Sequence, residues 1–219
     1  MSTNNRTALL NLIATHSFKL GDFTLASGQK SDYYIDCRIT TLHAEGGRLS
    51  GLLFYDMIQS LSNAVSIEAV GGLTMGADPL VSNTASASAW ALADHTEILE
   101  LSSQLDLQSE PDPGHAPTLI HGFLVRKAEK THGTGRRVEG FLRPGAHVVI
   151  VDDVCTTGGS TITAIEATRE AGMTVAAVLC LVDREQGGRA HIEAAVPGVP
   201  FLAAFTATQI RAAHIANSQ

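Results

Sequence analysis

The chain has only three cysteines, Cys37, Cys155 and Cys180, an odd number set far apart. Neither a disulfide framework nor a CxxC metal or redox site can be built from them, and they read as reduced thiols of a cytoplasmic protein. Long apolar runs are missing too. The longest, such as residues 175–182, reach eight residues, against the roughly 20 that span a bilayer, so no membrane partner is expected. The N-terminus has no signal-peptide core, because Leu9, Leu10, Leu12 and Ile13 are mixed with Asn11 and His16 in the pattern of an amphipathic helix. Positive charge is scarce: 15 Lys and Arg stand against 22 Asp and Glu, for a net charge of −7. That balance argues against general nucleic-acid binding. No G-x-x-x-x-G-K-[ST] run occurs either, and Gly28-Gln29-Lys30-Ser31 lacks the Gly-Lys adjacency, which disfavours an NTPase.

What positive charge there is gathers in one place. Residues 126–137 hold Arg126, Lys127, Lys130, Arg136 and Arg137 against the single acid Glu129, a local charge of +4. Such a concentration implies an anionic ligand of limited size. With 44% hydrophobic and 17% charged residues, the 219-residue chain has a globular balance and fits one domain spanning 1–219.

Periodicity predicts the main elements. A first helix ends near Ser17. Alternation through Phe18-Lys19-Leu20-Gly21-Asp22-Phe23-Thr24-Leu25 suggests a hairpin turning at Gly-Asp, with a further short strand at residues 33–36. Leu49, Leu52, Leu53, Met57 and Leu61 mark a helix over about 43–61. A short strand at Ile67, Ala69 and Val70 is expected to stop at Gly71-Gly72, and another helix to follow Asp78-Pro79. From Ser102 to Pro117 the chain turns polar and Pro-rich, as a surface excursion does. Then come a strand at 123–126, the basic segment, the apolar strand Val148-Val149-Ile150-Val151, a helix over 160–171 and a strand at 175–182. Strand, helix, strand in that order predicts an α/β fold with a mostly parallel central sheet flanked by helices.

The segment Val151-Asp152-Asp153-Val154-Cys155-Thr156-Thr157-Gly158-Gly159-Ser160-Thr161 carries the clearest chemistry. It runs from an apolar strand through two acids and a Gly/Ser/Thr-rich loop into a helix, which places these groups at the carboxyl end of a strand, where open α/β sheets bind ligands. Backbone N–H groups at the helix start can cradle a phosphate. The dipole contributes roughly 0.3 to 2 kcal/mol, so the loop hydroxyls must add to it. Two carboxylates beside a phosphate repel it unless hydroxyls or a cation lie between. Asp152 and Asp153 therefore suit the 2′ and 3′ hydroxyls of a ribose, or a Mg²⁺ met through water. The plainer alternative is a surface turn with Ser160 as helix cap.

This loop resembles that of the type I phosphoribosyltransferases. Three further segments resemble orotate phosphoribosyltransferases in particular: Phe23-Thr24-Leu25-Ala26-Ser27-Gly28-Gln29-Lys30-Ser31-Asp32-Tyr33-Tyr34, then Val125-Arg126-Lys127-Ala128-Glu129-Lys130-Thr131-His132-Gly133, then Val182-Asp183-Arg184-Glu185-Gln186-Gly187-Gly188. They keep the family's order and reach from near the N-terminus to about Glu193. The resemblance implies the type I fold, with a small β-containing hood from about 1–40 and the C-terminal segment, and with a surface insertion at about 82–120. It implies transfer of the phosphoribosyl group of phosphoribosyl diphosphate to orotate, giving orotidine 5′-phosphate in pyrimidine biosynthesis. Thr156, Thr157, Gly158, Gly159 and Ser160 would hold the 5′-phosphate and Asp152 and Asp153 the ribose diol, with Val154 and Cys155 also in the phosphoribosyl diphosphate site. Arg126, Lys127, Lys130 and His132 would bind the diphosphate, with Lys130, His132 and the acidic pair as the catalytic set. Arg184, assisted by Thr156, would meet the orotate carboxylate, and the backbone around Tyr34 and Ile35 the pyrimidine ring. Mg²⁺ would be bound mainly through diphosphate and ribose hydroxyls, with no direct protein ligand. A homodimer sharing its basic flap, residues 130–135, across subunits is also implied, and no nucleic-acid partner.

The pattern departs from the family at three places, one of them Asp32, where Pro is common. Lysines common near Ala26 and near Leu73-Thr74-Met75-Gly76 are absent. Two rival functions share the loop: a purine or xanthine phosphoribosyltransferase, and a regulator that binds phosphoribosyl diphosphate without turnover. Arg184 disfavours the first, because an arginine suits a carboxylate. The second is disfavoured by the lack of a DNA-binding segment and by the retained Arg126, Lys127, Lys130 and His132.

Overall fold

The computed structural model describes residues 2–24, 30–62, 65–104, 116–127 and 137–218. Its centre is a six-stranded sheet built from β3 (Ile67–Leu73), β4 (His121–Val125), β5 (Val138–Gly140), β6 (His147–Cys155), β7 (Thr174–Asp183) and β8 (Phe201–Thr206), in the order β5-β4-β3-β6-β7-β8. All pairings are parallel except β4 with the short edge strand β5. The alternation of side chains shows why β6 lies at the centre. Val148 and Ile150 enter one core with Ala164 and Ile165 of α5 (Gly159–Glu170) and Ile192 of α6 (Gly188–Ala195). Val149 and Val151 enter the other, with Leu49, Phe54 and Ile58 of α3 (Ala44–Leu61) and with Leu80. A strand covered on both faces reads as a continuous apolar run, and Val148-Val149-Ile150-Val151 is one.

α3 and α4 (Asp78–Gln104) approach closely because the facing residues are small. A Cβ on Gly51 would lie 2.4 Å from the Asn83 carbonyl oxygen. A helix of 27 residues is about 40 Å long. The first part of the surface insertion expected at about 82–120 is therefore helix. Thr84, Ala87 and Ser88 are buried, and Ser88 Oγ accepts from the Ile120 N–H at 3.0 Å. Several of its polar side chains bond to backbone carbonyls instead, Ser88 to Ala85 at 2.7 Å and Thr96 to Leu92 at 2.9 Å within the helix, and Asn83 to Thr41 outside it at 3.0 Å. Residues 105–115 of that insertion lie outside the described residues.

Two strand expectations are corrected as well. β3 continues through Gly71-Gly72 rather than stopping there. These glycines serve close packing: a Cβ on Gly71 would meet the Phe123 ring at 2.3 Å, and one on Gly72 the Val151 carbonyl oxygen at 2.2 Å. Gly21-Asp22 is not a turn. β1 (Phe18–Thr24) runs on through it with a register shift between Leu20 and Phe23, and pairs antiparallel with β2 (Lys30–Ile35). A glycine inside a strand marked a bulge.

This two-stranded sheet, α1 (Thr3–Leu12) with the π-helical turn Ile13–Ser17, and α7 (Ala207–Asn217) gather at one end of the sheet. Phe18 stacks on Tyr33 at 5.4 Å, His214 Nδ1 lies 2.7 Å from the Ala14 carbonyl oxygen, and Arg211 pairs with Asp32 at 2.7 Å. Chain ends distant in sequence thus form one cap beside the strand termini. Among the described residues no helix is long and apolar enough to cross a membrane.

Candidate active site

The strand order fixes where a ligand can enter. From β3 the chain crosses to β4 on one side, and from β6 it crosses to β7 on the other. The crevice between β3 and β6 is therefore the switch point of the sheet, the usual ligand position in open α/β folds. A cavity of about 310 Å³ opens there. One wall is Leu73-Thr74-Met75-Gly76, following β3, and the other is Asp152, Asp153, Val154, Thr156 and Ser160, at the end of β6 and the start of α5.

Both acids lie near the carboxyl end of β6, which extends past them to Cys155. Asp152 is 9% exposed and accepts a 2.7 Å hydrogen bond from the Thr161 hydroxyl. Burial, and then the charge of Asp153, push its carboxyl up to about 7. Burial raises Asp153 as well, against the opposing pull of its backbone hydrogen bonds and of Arg38. Two adjacent carboxyls held in this way are relieved by hydroxyl donors or by a cation, which is what a ribose diol or a hydrated Mg²⁺ supplies. Gly76 makes room for them, since a Cβ there would sit 2.4 Å from Asp153 Oδ1.

α5 is capped by Gly158, whose φ of +82° is the left-handed conformation that glycine tolerates. The turn is tight for another reason too: a Cβ on Gly158 would lie 2.9 Å from Ile192 Cγ1. The helix N-terminus so formed presents its free N–H groups with Ser160 at the cavity wall.

Arg184 closes the far side. It is 6% exposed, its backbone N–H donates to the Cys155 carbonyl at 2.9 Å, and its guanidinium lies 4.8 Å from the centre of the Tyr33 ring. Nη2 donates to Ser31 Oγ at 3.4 Å, whereas the buried Nε has no partner among the described residues. A buried guanidinium that lines a cavity is prepared for an anion.

The structure brings together Tyr34, Ile35, Lys127, Asp152, Asp153, Val154, Thr156, Ser160 and Arg184 around this cavity. Others are placed elsewhere. Arg126 Nε pairs with Glu139 Oε1 at 3.3 Å, outside the cavity lining. Cys155 is buried beneath Gly188, where a Cβ would meet its Sγ at 2.5 Å. Thr157 offers its carbonyl to His191 Nδ1 at 3.0 Å, and with Gly158 and Gly159 shapes the loop from behind. Lys130, His132 and the rest of the expected flap lie outside the described residues, as does Ala26. Sequence reasoning missed Asp36 and Arg38, which line the same cavity and form an ion pair at 2.7 Å. An acid and an arginine two residues apart, directly after a strand, were the available signal.

Buried acids that suit a diol, a helix N-terminus that suits a phosphate and a fixed arginine that suits a second anion fit the site of a phosphosugar-binding transferase. A family model for the phosphoribosyl transferase domain matches residues 122–215. The chain is 40% identical over 207 residues to the orotate phosphoribosyltransferase of Synechocystis sp., covering 94% of this chain and 88% of the relative. It is 37% identical over 208 residues to that of Aquifex aeolicus, covering 94% and 97%. The crystal structure of the Mycobacterium tuberculosis orotate phosphoribosyltransferase in complex with 5-phospho-α-D-ribosyl 1-diphosphate superposes with a TM-score of 0.64 at 27% identity, over 94% of this chain and 98% of that one. The chain belongs to the orotate phosphoribosyltransferase family.

Proposed function

We propose that the chain transfers the 5-phosphoribosyl group from phosphoribosyl diphosphate to orotate, releasing diphosphate and forming orotidine 5′-phosphate for pyrimidine biosynthesis. The observation that carries the acceptor is Arg184, a buried guanidinium that lines the same cavity as the acidic pair. The carboxylate of orotate offers the acceptor that it needs. Hypoxanthine and xanthine carry no carboxylate, which speaks against the purine reading. The names of the relatives support the same choice.

In this reading the amides and hydroxyls of residues 156–160 hold the 5′-phosphate, and Asp152 and Asp153 accept from the ribose hydroxyls. As the bond to diphosphate breaks, the sugar becomes cationic and the leaving group gathers charge. Lys127, Lys130 and His132 stabilise that charge as it forms, and the acidic pair faces the sugar. Mg²⁺ would neutralise the diphosphate further, bound mainly through diphosphate oxygens and sugar hydroxyls, and the raised carboxyls of Asp152 and Asp153 fit a cation held nearby through water.

A homodimer with shared flaps completes the proposal. Arg126 lies outside its own chain's cavity, which suits a residue offered to a neighbour's site. A groove of about 460 Å³ between α3 and α4, lined by Leu52 and Ala87 and bordered by the 70% exposed Trp90, supplies an apolar face for a second copy. The three free, buried thiols suit the cytoplasm. The test supplies phosphoribosyl diphosphate and Mg²⁺ with orotate, uracil, hypoxanthine or xanthine in separate reactions and measures diphosphate. Orotate alone should support rapid release. Release with a purine but not with orotate would overturn the acceptor assignment, and tight binding without release under any condition would leave only the regulator.

A further inference from the structure

The β3 wall of the cavity, Leu73-Thr74-Met75-Gly76, contains no cation. The ligand inferred above nevertheless carries a diphosphate on the carbon next to its 2′ hydroxyl. Arg38, the first residue of the short helix α2 (Arg38–Thr41) that follows β2, stands at the same cavity. Its placement is unusually fixed. The Asp36 N–H donates to the Ser17 carbonyl at 2.9 Å. Asp36 Oδ1 then accepts from the Arg38 backbone N–H at 3.1 Å and from Nε at 2.8 Å, and Oδ2 accepts from Nη2 at 2.7 Å. The fork occupies Nε and Nη2 and leaves Nη1 outside it. The arginine side chain is 43% exposed and its carboxylate partner only 18%, so the cation is the more open member of the pair.

The position along the cavity selects the group that is bound. Asp153 is the shared neighbour, for its Oδ1 lies against Gly76 and its carboxyl feels the charge of Arg38. The 5′-phosphate belongs at the α5 terminus and the acceptor's carboxylate at Arg184. What remains beside a diol-reading carboxylate is the 1-diphosphate.

We propose that Arg38 is a binding residue for the diphosphate of the phosphoribosyl donor, and that Asp36 is the positioning residue that holds its guanidinium at the cavity. This rests on the transferase reading above. A guanidinium already fixed by a carboxylate loses little freedom when it meets a phosphate, and it keeps a planar donor that Lys cannot reproduce.

The test uses the full chain with Mg²⁺. Donor binding is measured by calorimetry and steady-state constants for both substrates are determined for wild type, Arg38→Gln, Arg38→Lys and Asp36→Asn. Arg38→Gln should raise both the donor Kd and the donor KM about 10- to 100-fold, as loss of a charged hydrogen bond does, with orotate KM within about twofold. Lys should recover part of the loss, and Asp36→Asn should show a smaller rise, because the charge survives without its fork. Active wild type with an unchanged donor Kd in Arg38→Gln overturns the proposal. So does a fall in kcat at constant donor KM with a shifted pH profile, which would mean that Arg38 acts only on Asp153. If Arg38→Gln does not fold, Arg38→Lys decides on the same donor constants. A wild type that binds phosphoribosyl diphosphate but leaves orotate unreacted would defeat the acceptor assignment, while the donor Kd would still judge Arg38.

Discussion

Asp152→Asn should stabilise the protein without ligand while impairing its chemistry, and the gain should depend on pH in a calculable way. Folding carries the Asp152 carboxyl from about 4 up to about 7 because the site buries it beside Asp153. Below about pH 4 the group is protonated in both states, so burial of its charge costs nothing. As pH rises from about 4 to about 7, the unfolded chain releases a proton that the folded chain retains, and stability falls; above about 7 the full penalty persists. A rise of that size corresponds to about 4 kcal/mol as a ceiling, and relaxation around the site lowers this to about 2–4 kcal/mol. Asparagine keeps an oxygen for the 2.7 Å bond from Thr161, so the variant avoids the charge without losing that contact. For a chain of this size the melting temperature at pH 8 should rise by about 5–10 °C. At pH 4.5 the difference should shrink below about 1 kcal/mol. The measurement is a set of thermal melts of both proteins from pH 4.5 to 8, read as the difference between them so that other titrating groups cancel. A difference that does not change with pH, or a variant less stable at pH 8, would refute the burial argument.

Arg184→Gln should raise orotate KM about 10- to 100-fold with donor KM within about twofold, measured by steady-state kinetics, because one charged hydrogen bond is lost. Gly76→Ala should leave the melting temperature near that of wild type but lower kcat/KM about 100-fold, since the new Cβ at 2.4 Å must displace the Asp153 carboxylate; unchanged kinetics would mean that Asp153 tolerates movement. Lys130→Ala should lower kcat more than it weakens orotate binding, and equal losses would contradict a role realised in the transition state. Mixing Lys130→Ala with Asp153→Asn subunits should restore activity in hybrid dimers if flaps are shared, whereas a site contained in one chain gives no recovery.

The phosphate loop was legible because every requirement sits within one short stretch: apolar strand, two acids, glycines, hydroxyls, helix. Arg184 was legible through its neighbours, although its burial on Tyr33 was not. The central strands and α3 followed from periodicity, and the edge strand β5, three residues long, left no pattern to read. Gly71-Gly72 and Gly21-Asp22 misled for a common reason. Glycine marks a stop or turn only when local conformation demands it, and here tertiary neighbours demanded it instead: the Phe123 ring and Val151 carbonyl in one case, a bulged pairing in the other. Asp36 and Arg38 stayed hidden because their meaning lies in a cavity shared with residues from β3 and β6.

The crevice joins two parts of the chain that are far apart in synthesis. Gly71 lies opposite Ile150 in the sheet, and β4 and β5 are made between them. Each wall by itself is a loop end without a partner, so a nascent chain lacking β6 has no place for the donor. Closing so long a loop costs entropy before the contact returns any free energy, and the burial of Asp152 and Asp153 then opposes the same step. Donor binding offsets the cost of that final docking. A ligand that touches both walls therefore favours the assembled crevice over any state in which they are apart, by an amount that grows with its free concentration.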